Sequence, residues 1–114
     1  MEKIVERTML YDFYGDLLTP HQKKIYECVI FQDLTLSEVA EIEGISRQGV
    51  HDLIRRCDRL LEDYEQKLHL IERFMRLKSS VKELYQQMER YAGSKGEKLP
   101  ESVEESCRKI LEEL

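Results

Sequence analysis

The sequence predicts an all-α protein: a helix-turn-helix domain followed by long amphipathic helices and a C-terminal helix. Glu, Leu, Lys, Arg and Ile are abundant among its 114 residues, which include only two prolines and five glycines. Such a composition favours helices over a β-sandwich or barrel. Ser or Thr caps also precede several helix-forming segments, and residues 50–92 contain neither glycine nor proline. Together these features predict a helical chain with well-marked helix starts.

Two helices are expected before the helix-turn-helix segment. The first is amphipathic and extends to about Leu18. Thr19, Pro20 and Gln22 then mark a second start, since a capping threonine is followed by proline at the first helical position and by glutamine three residues after the cap. This second helix is expected to reach about Gln32.

Residues 36–54 predict two short helices joined by a sharp corner. Thr35 and Glu38 form a capping box that opens the first of them. Gly44 can adopt the left-handed conformation that ends a helix abruptly, and Ser46 caps the next helix. A short helix, a glycine turn and a new cap are typical of a helix-turn-helix unit.

One position of this corner departs from the usual pattern. Glu43 lies directly before the turn glycine, where helix-turn-helix units usually have an apolar residue. We expect Ile42 to take that inward place by a small rotation of the helix.

The second helix of the corner carries the candidate nucleic-acid-binding residues. Residues 46–59 hold four arginines and two aspartates, a net charge of +2, although the whole chain has a net charge of −5. Arginine pairs with guanine, glutamine with adenine, and further basic residues contact phosphates. Because the positive charge is confined to this helix, bulk attraction to nucleic acid is expected to be weak. The candidates are Ser46, Arg47, Gln48, His51, Arg55 and Arg59.

Apolar residues recur at spacings of three and four over residues 50–91, farther than one small core requires. Their first part comprises Val50, Leu53, Cys57, Leu60 and Tyr64. Their second part is a candidate seam for dimerisation or partner binding, comprising Leu68, Ile71, Phe74, Leu77, Val81, Leu84 and Met88. The pattern leaves open whether this helix is continuous or breaks near Ser79, and a last helix begins at Pro100. We therefore divide the chain into a helix-turn-helix domain, 1–68, and a helical extension, 69–114.

No grouping of residues indicates catalysis, a cofactor or a metal. The three histidines are too far apart to form a metal site by spacing, and none of the three cysteines has a ligand partner nearby in sequence. Free cysteines indicate a reducing compartment, and the charged N-terminus lacks the apolar run of a signal peptide. We expect a non-enzymatic, cytoplasmic protein that does not insert into membranes.

The combination of motifs resembles two kinds of bacterial protein. Residues 36–54 are similar to the helix-turn-helix of the C-terminal DNA-binding region of sigma factors. The match to YlxM-type proteins is closer and covers about residues 1–90, through the segments YDFY (11–14), LLT (17–19), SRQ (46–48) and LEDYEQKL (61–68). This resemblance implies a small cytoplasmic protein with a regulatory role in the signal recognition particle pathway.

Two hypotheses follow. In the first, the protein is a regulator that binds DNA or the RNA of the signal recognition particle through its second corner helix. In the second, it is a protein-interaction module whose apolar seam binds a second copy of the chain or the targeting GTPase of the particle, without specific DNA binding. A homodimer is expected under both, since a long apolar stripe is poorly buried by one small domain.

Overall fold

The computed structural model describes residues 2–114, and these residues form α-helices and short turns with no β-strand. The predicted all-α class is therefore confirmed. The α-helices are α1 (Lys3–Tyr14), α2 (Pro20–Tyr26), α3 (Leu36–Glu43), α4 (Arg47–Leu68), α5 (Leu70–Ser94) and α6 (Glu101–Glu113). A 3₁₀ turn, Gly15–Leu17, follows α1, and a π-helical turn, Glu27–Phe31, continues α2.

The chain divides into two compact units. The first ends at Ile71, and the second comprises Glu72–Leu114. The role of residues 69–114 as an extension for dimerisation or partner binding stays a prediction.

The helix starts expected from capping residues are confirmed. Thr19 Oγ1 accepts a hydrogen bond from the Gln22 amide at 3.2 Å, and the Gln22 side chain accepts one from the Thr19 amide at 3.0 Å. Thr35 and Glu38 make the same reciprocal pair at 3.0 and 3.2 Å. These bonds satisfy amide groups that have no partner in the first turn of a helix.

The core of the first unit is arranged around α4. The fully or nearly fully buried side chains of α4 are Val50, Ile54, Cys57 and Leu61. They pack with buried residues of the preceding segments, namely Leu10, Tyr14, Leu18, Ile25, Tyr26, Val39 and Ala40. Burial raises the pKa of the Cys57 thiol to about 11, an effect to which the nearby Asp58 carboxylate adds.

Two residues of the apolar repeat on α4 pack at the edge of the core, and two neighbouring residues outside the repeat are buried instead. Ile54 and Leu61 lie in the core, whereas Leu53 and Leu60 pack at its partly exposed edge. Both sets fall within one apolar face that is wider than a single line of contacts. The packing of α1 and α2 on this face therefore decides which residues are buried.

The expectation that Ile42 turns inward at the end of α3 is wrong. Ile42 is 65% exposed, and Glu43 occupies the partly buried place instead. The Glu43 carboxylate lies 3.2 Å from Lys24 Nζ, and its side chain is only 13% exposed. An ion pair with α2 thus allows a carboxylate to stand where helix-turn-helix units usually have an apolar side chain.

The long helical segment breaks at His69 and not near Ser79. His69 has a left-handed backbone with φ of 56°, which ends α4, and α5 then continues through Ser79 without interruption. The Tyr14 hydroxyl accepts a hydrogen bond from the Leu70 amide at 3.2 Å and donates one to Glu65 at 2.5 Å. Side chains of α1 and α4 therefore accept hydrogen bonds from the first backbone amides of α5: Tyr14 from Leu70 and Glu65 from Ile71.

In the second unit, Ala92 of α5 and Cys107 of α6 are buried. Leu84, Met88 and Tyr91 line an apolar groove together with Leu99 and Val103. Within residues 2–114, no helix combines the length and the apolar character needed to cross a bilayer.

Candidate nucleic-acid interface

The corner between α3 and α4 is built by three consecutive residues. Gly44 ends α3 with a φ of 68°, a conformation that costs glycine little because it has no Cβ. The Ile45 amide then bonds back to the Ala40 carbonyl at 3.1 Å. Ser46 Oγ accepts from the Gly49 amide at 2.9 Å, so α4 begins one residue later. The turn therefore fixes the direction in which the first turn of α4 projects.

The predicted binding residues lie on an exposed stripe of α4. Arg47, His51, Arg55 and Arg59 follow one another at intervals of four residues, and all four are exposed. At about 1.5 Å per residue they cover roughly 18 Å of helix. Ser46 and Gln48 are exposed at the start of the same helix. We call these six residues, Ser46, Arg47, Gln48, His51, Arg55 and Arg59, the α4 stripe.

Most of the positive charge of α4 is available to a ligand. Within the described part of the chain, no carboxylate lies at ion-pair distance from Arg47, Arg55, Arg56 or Arg59. One acid does lie beside the stripe: Asp52 accepts a hydrogen bond from Gln48 Nε2 at 3.0 Å, and its Oδ1 is 3.8 Å from His51 Nδ1. Asp52 therefore orients Gln48 and reduces the local positive charge.

The start of α4 forms a ridge between two grooves. On one side, Leu36 of α3 and the residues Arg47, Gln48 and His51 line the first groove. On the other side, α1 and α4 line a second groove of about 450 Å³, which we call the α1–α4 groove. Its residues are Lys3, Arg7, His51, Ile54, Arg55, Asp58, Arg59 and Glu62. His51 lines both grooves and so marks the crest of the ridge.

A hydrogen-bonded cluster attaches α1 and α2 to α4 at the edge of the α1–α4 groove. Arg7 donates to both oxygens of Asp58, at 3.2 and 2.6 Å, and the Tyr26 hydroxyl donates to Asp58 at 2.7 Å. The bond to Asp58 raises the pKa of Arg7. Burial, and then the bond to Asp58, raises the pKa of Tyr26 far above its usual range. Arg7 is thus held by the protein and stays protonated.

Sequence reasoning missed this cluster, although one signal was present. Asp58 stands four residues after the buried Ile54 and three before the buried Leu61, so it borders the apolar face of α4. A carboxylate in such a place needs partners. Arg7 and Tyr26 could not be assigned to it because they lie 51 and 32 residues away in sequence.

Comparison with known proteins agrees with the geometry of the corner. Residues 1–102 match the family UPF0122, described as "Putative helix-turn-helix protein, YlxM / p13 like". The chain belongs to this family. A UPF0122 protein of Clostridium botulinum is 41% identical over 95 residues, which cover 82% of this chain and 87% of that protein. One from Desulforamulus reducens is 35% identical over an alignment of 115 positions, which covers 98% of this chain and 96% of that protein. The resemblance to YlxM-type proteins is therefore confirmed.

In this UPF0122 chain the predicted seam is partly exposed. Leu68, Leu77 and Leu84 are 46%, 54% and 54% exposed. The other seam residues, Ile71, Phe74, Val81 and Met88, are half-buried. Tyr91, one heptad after Leu84, is 65% exposed and extends the apolar line. The use of this line for dimerisation or partner binding stays a prediction.

Proposed function

We propose that this protein is a non-enzymatic regulatory protein that binds duplex nucleic acid by inserting the first turns of α4 into the major groove. The observation that carries the proposal is the α4 stripe, whose arginines have no ion-pair partner in residues 2–114. The family description, which names a helix-turn-helix, supports it.

The chemistry of the stripe suits contacts to base edges. Arg47 can present a bidentate pair of donors to guanine, and Gln48 can pair with adenine once it leaves Asp52. The first turn of α4 adds backbone amides and the positive end of the helix dipole, which favour a nearby phosphate. Arg55 and Arg59 lie about two and three turns beyond Arg47, where phosphates flank the groove.

B-form DNA fits this ridge better than A-form RNA. The major groove of B-DNA is about 12 Å wide and admits an α-helix, whereas that of A-form RNA is too deep and narrow for side chains to contact bases. We therefore favour DNA. The RNA of the signal recognition particle, which the resemblance to YlxM-type proteins implies, is the competing ligand, and a role in that targeting pathway belongs to the same proposal.

Replacing Arg47 and Arg55 together by alanine is expected to weaken DNA binding by about 30-fold or more. Each lost arginine contact removes about 1–3 kcal/mol. Fluorescence anisotropy with a labelled duplex selected for binding to the wild type, at about 50 mM salt, measures the change. The double variant Arg73→Ala with Arg90→Ala is a matched control, because both arginines are exposed but lie on α5.

Equal affinity for the Arg47→Ala, Arg55→Ala variant and the wild type would reject α4 as the binding element. Labelled RNA duplexes of the same sequences form a second arm. If only the RNA binds, and binding still depends on Arg47 and Arg55, the ligand is RNA and the preference for DNA is wrong.

A second candidate function is supported by the apolar line on α5. Leu77, Leu84 and Tyr91 follow one another at intervals of seven residues and are all more than half exposed. Heptad spacing is typical of helices that pair along a seam. We infer that this line binds a second copy of the chain, or else a protein such as the targeting GTPase of the signal recognition particle. Dimerisation is compatible with DNA binding, since dimers match two half-sites.

Replacing Leu77 and Leu84 by lysine is expected to convert a dimer into single chains, because two charges would then face an apolar seam. Sedimentation equilibrium measures the mass. Ser79→Lys with Gln86→Lys is the control, since both residues are exposed on α5 away from the apolar line. A dimer that survives the leucine changes would contradict the seam, as would a wild-type protein that is monomeric.

A further inference from the structure

The α1–α4 groove contains cations from two different helices. Lys3 comes from α1, whereas Arg55 and Arg59 come from α4. Arg7 also lines the groove, but its guanidinium is held by Asp58. Within residues 2–114, Lys3, Arg55 and Arg59 have no ion-pair partner. The groove therefore offers three free cations to a ligand.

Two acids, Asp58 and Glu62, line the same groove, and they differ in whether a base is paired with them. Asp58 is neutralised by Arg7 and accepts a further hydrogen bond from Tyr26. Glu62 has no ion pair in the described part of the chain and lies three residues beyond Arg59. Within the groove the available positive charge is thus opposed by Glu62, and Glu6 adds a second carboxylate in an adjoining depression that Lys3 and Glu62 also line.

The groove on the other side of the ridge is different. There α3 contributes only the apolar Leu36, and the charged side chain lining that groove, Arg47, comes from α4 itself. The two sides of the ridge are therefore unequal in charge. A helix inserted into a major groove has one sugar-phosphate strand on each side, so a duplex would be held more strongly on the α1 side.

We propose that the α1–α4 groove binds one sugar-phosphate strand of the duplex, with Lys3 and Arg59 contacting its phosphates. Arg47 and Gln48, at the tip of α4, then contact bases. This assignment rests on the proposed function and adds a contact from α1 that the helix-turn-helix corner does not contain. It separates the residues that give affinity from those that give sequence preference.

Phosphate contacts in the α1–α4 groove can be measured through the salt dependence of DNA binding. Phosphate contacts release counterions, so each cation that binds a phosphate adds about 0.9 to the slope of log affinity against log salt. Removing such a cation weakens binding to all sequences by a similar factor, whereas removing a base contact changes the sequence preference. Lys3 and Arg59 belong to the first class, and Arg47 belongs to the second.

The test compares Lys3→Ala, Arg59→Ala and Glu62→Gln with the wild type, using labelled duplex DNA of several sequences over a series of salt concentrations. For each of the first two variants we expect a loss of affinity that is equal for all sequences and a salt slope lower by about 0.9. Glu62→Gln is expected to raise the affinity. Lys67→Ala and Asp63→Asn are the controls, because both residues are exposed on α4 but do not line the groove.

The outcomes distinguish this assignment from the proposed function. If the wild type binds DNA but Lys3→Ala and Lys67→Ala have the same salt slope, the groove does not hold a strand, and the assignment is overturned alone. The same conclusion holds if Glu62→Gln and Asp63→Asn raise the affinity equally. If the wild type binds no duplex at any salt concentration, the proposed function fails and the assignment fails with it.

Discussion

Replacing Leu61 by alanine is expected to lower the free energy of unfolding by about 2–5 kcal/mol. Leu61 is completely buried and lies on α4, the helix around which the first unit packs. The change removes buried apolar atoms and leaves a cavity that the surrounding helices fill only in part. Urea denaturation, followed by circular dichroism, measures the loss.

Leu17→Ala is the matched control for this change. The same side chain is removed, but Leu17 is 56% exposed on the 3₁₀ turn that follows α1, so its loss is expected to cost no more than about 0.5 kcal/mol. Equal costs at the two positions would contradict the arrangement of the core. Because small domains are stable by only about 5–15 kcal/mol, a loss of this size is large enough to measure against the stability of the wild type.

Replacing Asp58 by alanine is expected to cost about 2–4 kcal/mol. Asp58 is the shared acceptor for Arg7 and Tyr26, so its removal leaves a guanidinium and a buried hydroxyl without their partner. The Arg7 and Asp58 side chains are 22% and 19% exposed, so water compensates only part of the loss. The free energy of unfolding is again measured by urea denaturation.

Two further variants test which bond matters. Tyr26→Phe removes only the hydroxyl and is expected to cost about 1 kcal/mol. Asp63→Ala, an exposed acid on the same helix, is expected to change stability by less than about 0.5 kcal/mol. If Asp58→Ala costs no more than Asp63→Ala, the cluster does not stabilise the attachment of α1 and α2 to α4.

The parts of the fold that the sequence predicts are those set by local interactions. The capping pairs at Thr19 and Thr35 use residues three positions apart, so their signal is complete within one helical turn. Gly44 and Ser46 mark the corner for the same reason. The all-α class and the exposed start of α4 follow from these signals.

The parts that sequence reasoning missed depend on partners that are distant in the chain. The break at His69 has neither glycine nor proline to mark it, and Tyr14, 56 residues before Leu70, helps to stabilise it. Glu43 stays partly buried because Lys24 of α2 pairs with it. In each case a contact between helices overrides the local pattern.

The candidate site likewise has one part set by local signals and another part set by contacts between helices. The α4 stripe was predictable, because a capped helix with a known inner face also has a known outer face. Lys3 was not, since nothing in its neighbourhood shows that α1 packs beside the middle of α4 and brings Lys3 to the groove that Arg55 and Arg59 line. A site composed of several helices becomes visible only when their packing is known.

The burial of two cysteines has a consequence for experiments on the chain. Cys57 lies in the first compact unit and Cys107 in the second, and neither side chain is more than 9% exposed. Alkylating reagents attack an accessible thiolate, so the buried thiol of Cys57, with its pKa of about 11, reacts only when its surroundings open. With the half-buried Cys28 replaced, each unit would retain one thiol of its own. Labelling followed by mass spectrometry would then report the transient opening of the two units separately, within one molecule.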